Sequence, residues 1–310
     1  MEIQHNILKL LVLFCFFSFV VEEAKAQQDP QYTQYMYNTM SVNAAYAGTG
    51  GDFTATGLYR TQWVGVDGAP KTITFGLETQ AGERVGLGLN IIQDELGPSN
   101  EVYLDGNFSY TIPVGLETNL SFGIKAGVRF LDVDFSKGTA EQMNDPNLEN
   151  IDSKFLPSIG GGIFYHHDTK WYLGLSVPNI ISSQHYDEFI QSVAEERLHV
   201  FLIGGYVFDL SENLKFKPAF LGKGVSGAPP ISVDLSANFL FNEKLTLGLA
   251  YRWNGSVSGL AGFQISPELF VGYAYDYATT PINEYTSGSH EIMLRFNILR
   301  QGKIKSPRFF

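Results

Sequence analysis

Six histidines, several paired acids and one glycine run are the residues of this chain best suited to chemistry. A zinc hydrolase would place two histidines one helical turn apart with a glutamate between them, as in H-E-x-x-H. Here His166 and His167 are adjacent, in a stretch that reads as a turn, and His5, His185, His199 and His290 are scattered. Gly160-Gly161-Gly162 could imitate a phosphate loop. Such a loop feeds a helix whose first amides hold the anion, whereas Ile163-Phe164-Tyr165 continues a strand. No G-x-S-x-G elbow or P-loop is present. Asp94-Glu95, Glu195-Glu196 and the run from Glu141 to Asp152 are acidic but lack the D-x-[DN]-x-[DN]-G spacing of a calcium loop. Cys15, the one cysteine, lies in an apolar leader and leaves no thiol nucleophile after it. The expectation is a protein without catalytic residues, cofactor or metal.

A second group of residues suits recognition. Arg60, Gln62, Trp63, Gly68, Ala69 and Pro70 set a Trp and an Arg beside a Gly/Pro turn. Arg and aromatic residues are enriched in interaction hot spots, so these six are the candidate partner-binding residues. The competing reading is a Trp in a membrane-interface girdle beside a structural turn.

The elements that must position these residues follow from period-two alternation, which puts successive strand side chains on opposite faces. Leu245, Leu247, Leu249, Tyr251 and Trp253 share one face; Thr246, Gly248, Ala250, Arg252 and Asn254 share the other. Fourteen segments are predicted as strands: 52–60, 71–79, 84–93, 101–112, 117–132, 155–165, 171–178, 197–209, 213–222, 230–240, 244–253, 256–265, 268–277 and 289–299. Every second connection is short, from Ala81-Gly82-Glu83 to Ser266-Pro267. The others are mostly long: 61–70, 94–100, 133–154, 179–196, 223–229 and 278–288. An even strand count with short turns on one side and long loops on the other describes an all-β, antiparallel transmembrane barrel of the bacterial outer membrane. Both termini would then be periplasmic. The lumen would hold Glu78, Arg84, Asp105, Lys125, Arg129, Asp234, Arg252, Asp276, Glu291 and Arg295, of mixed sign.

The ends and the composition agree with that class. Lys9, the apolar run Leu10–Val21 and Ala24-Lys25-Ala26 read as a signal peptide over 1–26. The formal net charge is −11, which disfavours nucleic-acid binding. Charged residues make up 17%, against a usual ~25%. Aromatic residues reach 14%, as girdled barrels require. Residues 27–51 belong to no strand and are rich in Gln and Tyr. A free tail would be more charged and less aromatic, so this segment is expected to act as a plug inside the barrel or under its mouth, with Pro30, Tyr32, Tyr35, Tyr37 and Tyr46 as its candidate contacts. Residues 52–310 form the barrel.

The motifs also carry a resemblance. Gln28-Asp29-Pro30-Gln31-Tyr32-Thr33-Gln34-Tyr35-Met36-Tyr37-Asn38 with Asn43-Ala44-Ala45-Tyr46-Ala47-Gly48 resembles the opening of the PorP/SprF family of Bacteroidota. Tyr59-Arg60-Thr61-Gln62-Trp63 with Gly68-Ala69-Pro70, then Gly86-Leu87-Gly88-Leu89 leading to Asp94 and Gly97-Pro98, follow in order. So do Tyr273-Ala274-Tyr275-Asp276-Tyr277, Gly288-Ser289-His290-Glu291 and the ending Ser306-Pro307-Arg308-Phe309-Phe310. Ala44 departs from the Pro usual there. The resemblance implies an outer-membrane barrel of the type IX secretion system and gliding machinery, without catalytic residues. It implies assistance to the secretion or surface attachment of an adhesin-like protein through that partner's C-terminal domain, alongside other type IX components. The alternative is an outer-membrane porin or apolar-solute transporter. Outer-membrane lipid is the remaining expected partner.

Overall fold

The computed structural model describes residues 31–50, 53–137, 150–181, 198–226 and 228–298. The signal peptide, Pro30, His185, Glu195-Glu196, the run 141–149 and the C-terminal Phe310 lie outside the described residues. Of the described residues, those from 53 to 298 build a closed antiparallel β-barrel. Its strands are β1 Phe53–Thr61, β2 Lys71–Gln80, β3 Val85–Leu96, β4 Ser99–Pro113, β5 Thr118–Val133, β6 Ile151–His167 and β7 Trp171–Val177. They continue as β8 His199–Tyr206, β9 Phe208–Ser211, β10 Leu214–Val225, β11 Ala228–Phe241, β12 Leu245–Arg252, β13 Ser256–Gln264, β14 Leu269–Ala278 and β15 Ser289–Ile298. β8 and β9 are halves of one wall strand interrupted at Val207, so the wall has the fourteen strands expected. Both halves pair with β10. β10 pairs with β11, and the first strand meets the last, Arg60 opposite Glu291. Closure leaves no edge, and every ladder group finds a partner without water.

Alternation decides which way each side chain points. On β12, Leu245, Leu247, Leu249 and Tyr251 are exposed outward, while Thr246 is buried inside. The same outward series recurs as Ile73 and Phe75, Leu87, Leu89 and Ile91, and Ile292, Leu294 and Phe296. An apolar exterior on every strand is the surface a lipid bilayer solvates, and it makes this a transmembrane barrel. Among the described residues no helix is long and apolar enough to cross a membrane. Leu249 is 67% exposed and sits mid-strand. Leu249→Arg should therefore destabilise the barrel by about 2–4 kcal/mol, read as a lower urea midpoint for folding into vesicles. Little change there would place β12 away from the acyl chains.

Two of the expected long loops are tight turns. β3 and β4 stay paired out to Leu96↔Ser99, and Gly97, at φ +56°, supplies the left-handed residue that a two-residue hairpin needs. β10 and β11 likewise pair as far as Val225↔Ala228. The long connections that remain are 62–70, 134–150, 178–198 and 279–288. The wall is uneven: β6 has 17 residues and β7 only 7, so it stands highest around β4–β6 on the long-loop side.

The filled lumen and its long-loop mouth

Residues 31–50 form no strand; they run down the inside of the wall. Their only regular pieces are two short 3₁₀ turns, η1 Thr39–Ser41 and η2 Ala44–Tyr46. The Asn43 side chain caps the second by accepting from the Ala45 amide at 3.0 Å. A chain without ladder partners must find its hydrogen bonds elsewhere, and inward-facing side chains of the wall supply them.

The long-loop end of the segment is held by a clamp of charges. Glu291 accepts from the Thr33 and Gln34 amides, both at 2.8 Å, and pairs with Arg60 at 3.1 Å. Arg60 also pairs with Asp276 at 2.7 Å and donates to the Thr33 hydroxyl at 2.8 Å, while that hydroxyl donates to Asp276. Arg252 grips Asp234 through Nε (2.7 Å) and Nη2 (3.2 Å), and donates to the Tyr32 carbonyl at 3.3 Å. Midway, Arg295 donates to the Tyr37 carbonyl at 3.3 Å and Asn90 to that of Met40 at 3.3 Å. At the short-turn end, Ser109 donates to the Ala47 carbonyl at 2.7 Å, and the Gly48 amide donates to Glu78 at 3.2 Å. Gln31 therefore lies toward the long-loop mouth, and the last described strand residue, Ile298, at the opposite end.

Between these anchors the segment is greasy. Tyr35, Met36, Tyr37, Met40, Val42, Ala45 and Tyr46 pack with Phe164, Tyr172, Phe201, Ile203, Phe270 and Met293 in one buried cluster. Tyr46 meets Phe164 edge-on at 5.3 Å. The Lys217 ammonium sits 5.2 Å from the centre of the Tyr37 ring and 5.5 Å from that of Tyr172. Each large side chain so buried contributes roughly 1.5–3 kcal/mol.

The structure divides the six candidate recognition residues. Arg60 is only 2% exposed and points into the clamp, because β1 runs on to Thr61 and alternation turns its eighth residue inward. It therefore cannot belong to an outer docking surface. Pro70 is buried, whereas Gln62 and Ala69 are half-buried and Trp63 and Gly68 exposed. Their loop is braced on two sides. The Val64 amide donates to Gly288 at 2.9 Å and Ser287 donates back to Val64 at 2.8 Å. Gly97 donates to Gly68 at 2.9 Å. Trp63 itself is held at φ +46°, an uncommon conformation for an aromatic residue. The candidate plug contacts Tyr32, Tyr35, Tyr37 and Tyr46 all lie buried in the lumen.

Other expectations change. Arg84 lies in a turn outside the wall and faces solvent, since β3 starts one residue later. His166 is buried on the inner face beside Phe164 rather than in an exposed turn, because β6 extends through His167. Lys217 and Lys223 join the lumen, unnoticed because β10 alternates lysine with aromatic and small residues. A dinucleotide-type spacing does occur, Gly222-Lys223-Gly224-Val225-Ser226-Gly227, but it spans the end of β10 and precedes a strand. Among the described residues no group of three or more His, Cys, Asp or Glu is placed to hold a metal.

Comparison with known proteins adds a family. The model for "Type IX secretion system membrane protein PorP/SprF" matches residues 24–296. No curated protein matches the sequence. Among solved structures, the chain is similar to the outer membrane protein Omp33 of Acinetobacter baumannii. There the identity is 10% and the TM-score 0.46, over 81% of this chain and 100% of that one. It is also similar to CymD, a monoaromatic hydrocarbon channel, at 14% identity and TM-score 0.48, over 85% of this chain and 93% of that one. A Pseudomonas aeruginosa FadL homologue gives 12% identity and TM-score 0.43, over 78% and 87%.

Proposed function

The chain belongs to the PorP/SprF family of type IX secretion system membrane proteins, and from that premise we propose that it is an outer-membrane anchor or export accessory for a secreted, adhesin-like partner. The short turns face the periplasm and the other secretion components. The long loops face outward and meet the C-terminal domain of the partner as it emerges. Residues 27–51 serve as a plug that keeps the lumen shut while the rim is used for binding. Outer-membrane lipid solvates the wall.

The observation that supports this reading over a porin or an apolar-solute transporter is the filling of the lumen. A conducting pore needs a water-filled path lined by one dominant charge or a graded set of sites. Here Arg60, Asp276, Glu291 and Glu78 are spent on each other and on the backbone of residues 33–48. The outward-facing feature is instead the braced loop with Trp63 at its surface. Rigid aromatic groups on a fixed loop suit binding, because little conformational freedom is lost when they dock.

Affinity capture of the protein from native outer membranes, with identification of what is bound, tests the reading. Recovery of a large secreted protein that is lost from the cell surface on deletion of this one is the expected result. Deletion without effect on any surface protein would sink the idea. Trp63→Ala should leave barrel assembly intact and weaken partner retention by about 2 kcal/mol or more, the range of an aromatic hot spot. If the variant fails to assemble and shows no separate binding loss, Trp63 belongs to the lipid-interface girdle.

A further inference from the structure

The inner segment has a direction. The Tyr32 and Thr74 hydroxyls meet at 2.9 Å, and the Gly48 amide donates to Glu78. Both wall partners lie on β2, which descends from Lys71 at the long-loop mouth to Gln80 at a short turn. On β15 the partners step from Glu291 to Arg295 as the segment steps from Thr33 to Tyr37. The segment therefore runs parallel to β2 and β15 and reaches the short-turn end, where Phe53 opens β1. Its burial relaxes at the other end: residues 32–40 are buried and Gln31 is half-buried. We infer that the segment is a further crossing of the membrane and displays the processed N-terminus on the long-loop face. An even strand count alone would put both termini in the periplasm; this extra pass separates them. The inference rests on the long-loop mouth being the outward, partner-facing side.

Chain length excludes a return to the periplasm. Cleavage after Ala26 leaves residues 27–30 ahead of Gln31. An extended chain spans at most about 3.6 Å per residue, so this stretch reaches about 14 Å. The apolar band of such a barrel is about 25 Å tall, and the way down is packed with Tyr172, Phe201, Phe270 and Met293. The end leaves the lumen next to β14, β15 and β1, because Asp276, Glu291 and Arg60 hold Thr33. Loops 279–288 and 62–70 spring from those strands. Arg60 also donates to Gln62 at 3.4 Å, and the Trp63 amide donates to the Ser289 hydroxyl at 3.1 Å. The terminus thus emerges beside the loop that carries Trp63, and a partner seated on that loop meets both. One continuous stretch of chain then links the docking face to the Gly48–Glu78 contact at the periplasmic end.

Cysteine labelling in living cells tests the inference. The one cysteine, Cys15, lies in the leader, so a single cysteine in the mature chain reports on its own position. Gln28→Cys marks the N-terminal end, Asp67→Cys the long-loop face and Lys244→Cys a short turn; Asp67 and Lys244 are exposed. Intact cells are treated with a maleimide-linked polymer too large for outer-membrane pores, and labelling is read as a gel shift. Heat-modifiable migration checks each fold, and the mass of the purified chain checks removal of residues 1–26. Gln28→Cys and Asp67→Cys should shift on intact cells, and Lys244→Cys only in broken cells. If Asp67→Cys shifts on intact cells while Gln28→Cys needs broken or denatured protein, the inference is overturned and the proposed function stands. If Lys244→Cys shifts in place of Asp67→Cys, the orientation behind both is wrong. A mass that retains the leader also overturns the inference, because the longer chain could return to the periplasm.

Discussion

Replacing Glu291 with Ala should destabilise the barrel by about 3–5 kcal/mol, the loss expected when one member of a buried ion pair is removed. Glu291 is fully buried and does three things at once: it pairs with Arg60 across the β1–β15 seam and accepts from two consecutive amides of the inner segment. Its loss leaves two buried amides without their acceptor and halves the acidic complement of Arg60, leaving Asp276. Alanine cannot accept, and the site is too enclosed for bulk water to substitute. Glu291→Gln keeps one carbonyl oxygen and the volume, so it should lie between wild type and Ala. The measurement is the urea midpoint for folding into lipid vesicles. A Glu291→Ala barrel that unfolds at the wild-type midpoint would show that the seam and the segment are held by packing alone. Asp276→Ala should follow in the same direction, because Asp276 holds Arg60 at 2.7 Å and accepts from the Thr33 hydroxyl.

The clamp also marks the limit of what the sequence discloses. Strands were legible wherever one face meets lipid and the other the lumen, as on β12, because the two environments force strict alternation. Beyond the bilayer both faces meet water and the pattern fades. Asp94-Glu95 and Asn100 thus read as loop, although Glu95↔Asn100 is a ladder pair. The break at Val207 has a related origin. Phe208, Asp209, Leu210 and Ser211 are all exposed at the short-turn rim, so their order carries no facing signal. Strand count and loop parity survive these local errors because each depends on many segments. Arg60 closes the predicted strand 52–60 but is grouped with the loop after it; its alternation with outward Tyr59 turns it inward with Thr54, Thr56 and Leu58, and Arg suits a rim as well as a lumen. That Glu291, Asp276 and Arg60 converge on Thr33 lay beyond reach. The convergence depends on closure between the two ends of the chain, and no local spacing encodes it.

Gly86→Val combined with Gly123→Val should expel the inner segment while the wall persists, turning a closed barrel into a conducting one. A Cβ at Gly86 would land on the Ala47 carbonyl, and one at Gly123 on the Ala45 amide. Both targets are backbone of the segment, so no side-chain rotation relieves the overlap. The wall itself tolerates the change, since valine favours the extended conformation that both glycines already adopt. Overpacking of this kind costs about 1–3 kcal/mol per site, and the two sites press on η2 from different strands. The segment has the weaker hold, because strands are fixed along their whole length by ladders while residues 44–47 rely on a few side-chain contacts. Displacement at η2 pulls on the Gly48–Glu78 contact and opens the short-turn half of the lumen first. The readout is single-channel current in planar bilayers, with heat-modifiable gel migration to confirm an intact wall. Gly259→Val is the matched control: a Cβ there meets nothing within 4 Å, and that variant should stay as silent as wild type. Steady current through the unaltered protein, or a folded double variant that stays closed, would mean that residues 31–50 do not seal the barrel, and a solute path would again be the better account of the lumen.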